Sequence, residues 1–103
     1  MTKVILAGWF VISFYGMDDG KHNYLLQDKR TNTNVAWLSD EPLSYGQGAD
    51  IKLKIKADCE RVTAPSAGPG MKGVVSYYCN ANEVVELKCT EINSIVVGGV
   101  RYC

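Results

Sequence analysis

The sequence predicts an all-β domain, a small partly open Greek-key barrel of five to six strands. Three observations carry the prediction. Ile51-Lys52-Leu53-Lys54-Ile55-Lys56 alternates aliphatic and charged side chains, the period of a strand whose successive residues point to opposite faces. Asp18-Asp19-Gly20, Thr31-Asn32-Thr33-Asn34 and Asn80-Ala81-Asn82 are turn-forming clusters set between runs rich in β-branched and aromatic residues. No segment combines a helical apolar stripe with capping residues.

The 103 residues are enough for one core and too few for two, so residues 1–103 are expected to form a single β-barrel domain. At 47% hydrophobic and 21% charged residues, the composition excludes a disordered or collagen-like chain. Eleven basic and eleven acidic side chains cancel, so any electrostatic binding must come from local clustering.

Residues 3–15 read as the first strand. Val4, Leu6, Phe10, Ile12 and Phe14 share one face, and Ile5, Trp9, Val11 and Tyr15 the other. Both faces are apolar, which suits a strand that bends to pair with two halves of a small barrel, and Gly8 is where that bend costs least. The run from Val4 to Met17 follows one lysine in the manner of a signal peptide, but it has no small-x-small cleavage site. It is also shorter than the roughly 20 residues of a membrane-spanning helix. A strand is expected there, in a cytoplasmic protein that is not integral to a membrane.

Asp18-Asp19-Gly20 supplies the positive φ of a tight hairpin, leading into a second strand from His22 to Arg30. After the turn at 31–34, Val35 to Ser39 makes a short third strand, and these three form a meander. Asp40-Glu41-Pro42 ends it, because proline has no ladder donor. A loop with two glycines follows at 44–48, then the alternating strand at 51–56. Thr63 to Gly73, with two prolines and three glycines, reads as an exposed loop. Val74 to Cys79 and Val84 to Val97 complete the strands around Asn80-Ala81-Asn82, and Gly98-Gly99 forms a turn before the tail. A meander followed by a long hairpin suits a barrel of the OB type, with an SH3-like barrel as the alternative.

No catalytic constellation stands out. Asp18, Asp19, His22 and Asp28 are the nearest thing to a metal cluster, but Asp-Asp-Gly is turn chemistry and a lone histidine at a strand start is more often solvated. Neither G-x-S-x-G nor a Cys–His signature occurs. The expectation is a protein that is not an enzyme and holds no metal or cofactor. Cys59, Cys79, Cys89 and Cys103 could form two disulfides. Without a secretion signal they are expected to be reduced, three of them small buried hydrophobes on strands.

Binding features are more prominent. Lys52, Lys54 and Lys56 form a row with roughly 6.6 Å between successive members, a spacing that can follow phosphates, although the same row is also what a solvated strand face looks like. Gly68-Pro69-Gly70-Met71-Lys72-Gly73 is not a P-loop, yet Lys72 in it could clamp a polyanion. Trp9, Tyr15, Tyr24, Trp37, Tyr45 and one of Tyr77 and Tyr78 exceed what one small core needs, so some must be exposed, either to stack unpaired bases or to form a dimer interface.

The order Lys21-His22-Asn23-Tyr24-Leu25-Leu26, a polar hairpin, Leu43-Ser44-Tyr45-Gly46-Gln47-Gly48 and then an alternating strand resembles the layout of OB-fold single-strand-binding proteins. The helix-destabilising proteins of filamentous phages are the nearest of these in size. The resemblance implies single-stranded nucleic acid as ligand, bound by Tyr24, Lys29, Arg30, Lys52, Lys54 and Lys56, to which the aromatic surplus adds Trp37 and the glycine-rich loop adds Lys72. A homodimer is expected. The rival expectation is a protein-binding or inhibitor domain, such as a phage or mobile-element accessory protein.

Overall fold

The computed structural model describes residues 2–43, 49–50, 56–63, 75–90 and 92–103. All of its regular structure is strand: β1 (Thr2–Asp18), β2 (Lys21–Asp28), β3 (Thr33–Ser39), β4 (Ala49–Asp50), β5 (Lys56–Thr63), β6 (Val75–Leu87), β7 (Ser94–Val97) and β8 (Val100–Arg101). Among the described residues no helix is long and apolar enough to cross a membrane. The strands lie side by side in the order β4-β5-β6-β1-β2-β3-β7-β8, and every pairing is antiparallel. The sheet is open, ending at β4 on one side and β8 on the other. An all-β antiparallel domain is therefore correct, whereas the partly open Greek-key barrel of five to six strands is corrected to an open sheet with more strands than expected.

The predicted hairpins form where the residue chemistry demands them. Asp19 and Gly20 take φ of 50° and 77° between the paired Asp18 and Lys21, the double positive φ of a two-residue hairpin loop. Gly98 and Gly99, at 60° and 82°, do the same between Val97 and Val100. Gly8 is bent as expected, with φ of 90°. A bulge between Phe14 and Gly16 leaves Tyr15 without a register partner, which increases the local twist.

One expected turn does not form. Asn80-Ala81-Asn82 lies inside the continuous strand β6, where these residues pair with Trp9, Gly8 and Ala7 of β1. The long β1 offers an unbroken ladder, and its backbone hydrogen bonds outweigh the local turn preference of asparagine. The closing long hairpin is replaced by β6 lying beside β1. The alternating segment at 51–55 and the loops at 44–48 and 64–74 lie outside the described residues. Lys56 opens β5, which runs on to Thr63 beyond the expected strand end.

Alternation along β1 selects the core face. Val4, Leu6, Phe10 and Ile12 are buried, together with Tyr24, Leu26, Val35, Trp37, Cys59, Cys79, Ala81 and Ile95. Tyr24 and Trp37 sit opposite each other across β2 and β3 with their rings stacked 5.4 Å apart, and Phe14 meets Tyr24 edge-on. Leu43, Leu87 and Ile92 join the same cluster.

The cysteines correct another expectation, because all four are paired: Cys59 with Cys79 and Cys89 with Cys103. Cys59 and Cys79 are directly opposite on β5 and β6 and both are buried, in line with Phe10 across β1. Their positions on buried strand faces are as predicted, whereas Cys89, also expected there, is exposed in the turn after β6, and it is the β5–β6 register that brings the Cys59 and Cys79 sulfurs together. The second bridge ties the C-terminus to the turn after β6.

Candidate functional site

The outer face of β5, β6 and β1 carries the largest exposed aromatic feature of the described residues. Register aligns Trp9, Asn80 and Asp58 in one row across the three strands, and Val11, Tyr78 and Glu60 in the next. Trp9 and Tyr78 are thus diagonal neighbours, close enough for large rings to meet. They stack 4.5 Å apart and 8° from parallel. Both remain open to solvent, at 42% and 40% exposure. Ile5 and Tyr15 on β1 are exposed as well.

An open cleft of about 280 Å³ borders this stack, lined by Trp9, Asp58, Cys59 and Glu60. Its chemistry is an indole ring and two carboxylates over a buried disulfide. Asp58 and Glu60 are exposed on the same face of β5, and the Cys59–Cys79 bridge holds that strand to β6 between them. In the next row of the same face, the hydroxyls of Ser13 and Ser76 lie 3.3 Å apart, linking β1 and β6.

Of the residues expected to bind nucleic acid, Tyr24, Lys29, Arg30 and Trp37 lie away from this face. Tyr24 and Trp37, at 2% and 1% exposure, are core residues and present no ring face to a base. The Tyr24 hydroxyl accepts the backbone N–H of Leu43. Burial raises its pKa above the ordinary tyrosine value, the Leu43 hydrogen bond lowers it in part, and the nearby Tyr77 adds to the rise. Arg30 is committed to Asp28, giving two guanidinium hydrogen bonds of 3.2 and 2.8 Å while its backbone N–H donates to the same carboxylate. The Asp28 side chain is fully buried, so this pair fixes the turn that joins β2 to β3. Lys29 is exposed on that turn. Lys56 is placed at the start of β5, and Lys52, Lys54 and Lys72 lie outside the described residues.

The suspected metal cluster is likewise dispersed. Asp18 and Asp19 are exposed on the hairpin, Asp28 is held by Arg30, and His22 lies against the Phe14 and Tyr24 rings. Among the described residues no group of three or more His, Cys, Asp or Glu could hold a metal ion.

Asp58 and Glu60 are the members of this face that the sequence reading did not assign to a site, and Tyr78 entered it only as an alternative to Tyr77. A signal for them existed. Along the sequence, the alternate charged residues change sign from Lys52, Lys54 and Lys56 to Asp58 and Glu60.

No protein-family model matches the chain, and no curated protein or solved structure is significantly similar to it. The resemblance to OB-fold single-strand-binding proteins of filamentous phages is overturned by that result. What fold and face define is a small antiparallel β-sheet domain with two disulfides and an exposed aromatic pair beside carboxylates.

Proposed function

We propose that the chain is a non-catalytic protein-binding module whose contact surface is the outer face of β5, β6 and β1, anchored by Trp9 and Tyr78. The observation that carries this reading is the exposed Trp9–Tyr78 stack beside Asp58 and Glu60. Large rings held rigid by each other are the usual anchors of protein interfaces, because they bring contact area with little rotamer entropy left to lose. Carboxylates at the same place disfavour a phosphate backbone, so the face suits a protein better than a nucleic acid. Of the expected nucleic-acid set, Lys29 and Arg30 belong to the β2–β3 turn instead, and Lys56 stands at the start of β5.

The two disulfides support an oxidising compartment over a cytoplasm. That setting also favours an extracellular or periplasmic protein partner over an intracellular single strand.

A peptide-display selection against the full disulfide-bonded chain, with counter-selection on Trp9→Ala/Tyr78→Ala, tests the reading. Sequences that bind the native chain and not the double variant are the expected result. If none emerge while a fluorescent single-stranded oligonucleotide binds with salt-dependent affinity, the nucleic-acid reading replaces this one. Sedimentation of both proteins identifies the case in which the partner is a second copy, because self-association would then vanish with the two rings.

A further inference from the structure

We infer that the cleft beside Trp9 receives a cationic side chain, arginine or lysine, from the bound protein. The inference rests on the protein-binding reading and adds the chemistry of the residue that enters. One face of the Trp9 ring is covered by Tyr78, while Trp9 also forms a wall of the cleft shared with Asp58, Cys59 and Glu60. An indole attracts a cation through its quadrupole, and a carboxylate lining the same cleft adds a charge-assisted hydrogen bond. Guanidinium satisfies both at once, lying flat on a ring while its edge donates to a carboxylate. A neutral apolar group would strip water from the carboxylates and give nothing in return, and an anion would be repelled.

Glu60 is the carboxylate on which the inference turns. Asp58 already engages another group, whereas Glu60 is exposed and has no ion pair among the described residues. The two lie two positions apart on one strand face, roughly 6.6 Å along it, and Cys59 between them is bridged to Cys79 directly opposite on β6. The bridge fixes the acidic wall relative to the strand that carries Tyr78, so the cleft is preorganised before a partner arrives.

The test follows the Trp9 indole N–H resonance of the full chain, both disulfides intact, during titration with hexa-arginine and with hexa-citrulline, its uncharged near-isostere. Hexa-arginine should shift the resonance saturably, and hexa-citrulline should bind about tenfold more weakly, the share of a desolvated cation–π contact. Glu60→Gln should weaken hexa-arginine binding several-fold, while Glu41→Gln, an exposed carboxylate after β3, should leave it unchanged. An unmoved Trp9 resonance, equal affinity for the two peptides, or equal losses in the two variants would overturn the inference. Its failure is separable from failure of the broader reading. Displayed peptides that need Trp9 and Tyr78 but contain no arginine or lysine would remove the cationic side chain and leave the protein-binding face standing.

Discussion

The guanidinium of Arg30 lies directly against the bare Cα of Gly8: a Cβ added at Gly8 would come within 2.9 Å of Nη1. This contact joins the β2–β3 turn to the bend in β1. The bend itself needs the positive φ of glycine, and Asp28 holds Arg30 in place with two hydrogen bonds. Gly8 therefore satisfies two requirements, one of backbone conformation and one of space.

Gly8→Ala should destabilise the domain by about 1–3 kcal/mol, the usual cost of a non-glycine residue held in a sparsely populated backbone region. Chemical denaturation measures it. Repeating the substitution in an Arg30→Ala background should recover the steric part and leave the conformational part, so the two changes should be non-additive. Full additivity would show that Arg30 moves aside without cost.

The buried and exposed aromatics should separate cleanly in stability. Trp37→Ala removes a fully buried ring and should cost about 3–5 kcal/mol. Trp9→Ala removes a half-exposed ring whose main contact is its stack with Tyr78, and should cost about 0.5–1.5 kcal/mol. Urea denaturation of both variants checks the order, and a reversal would place the core on the opposite face of the sheet.

Both disulfides should contribute through the chain entropy of the unfolded state. The bridged cysteines are 20 and 14 residues apart, for which loop closure gives about 3 kcal/mol each. Thiol titration of the denatured, unreduced protein should find no free cysteine, and a reducing agent should lower Tm. Four titratable thiols, or an unchanged Tm after reduction, would contradict the pairing.

Alkaline stability should depend on Tyr24. Its folded-state pKa lies above the ordinary value of 10.0 because burial disfavours the phenolate. Between the unfolded and the folded pKa, the unfolded chain has lost a proton that the native chain retains, so unfolding free energy falls as pH rises. The contribution is complete below about pH 10 and is lost as pH climbs through the folded pKa. Tyrosinate absorbance should show one late-titrating group that is missing in Tyr24→Phe, and that variant should lose less stability between neutral and alkaline pH. Equal slopes for the two proteins would show that another group governs the alkaline limb.

Local chemistry was legible in the sequence wherever a few adjacent residues decide the outcome. Asp19-Gly20 and Gly98-Gly99 make their turns because their backbones reach positive φ at low cost, and Gly8 bends β1 for the same reason. Alternation along β1 grouped Val4, Leu6, Phe10 and Ile12 on one face, and these four are buried together. Only the tertiary structure decided the remainder. Asn80-Ala81-Asn82 stays extended because β1, distant in sequence, supplies its ladder partners. Cys59 and Cys79 pair because β5 and β6 align them. Alternation says that Tyr24 and Trp37 each fall on one of two faces, as do Trp9 and Tyr78, but not which face is inside. Strand order and register make that choice, since a shift of one residue moves every side chain of a strand to the other side of the sheet. The first pair thus became core and the second stayed exposed.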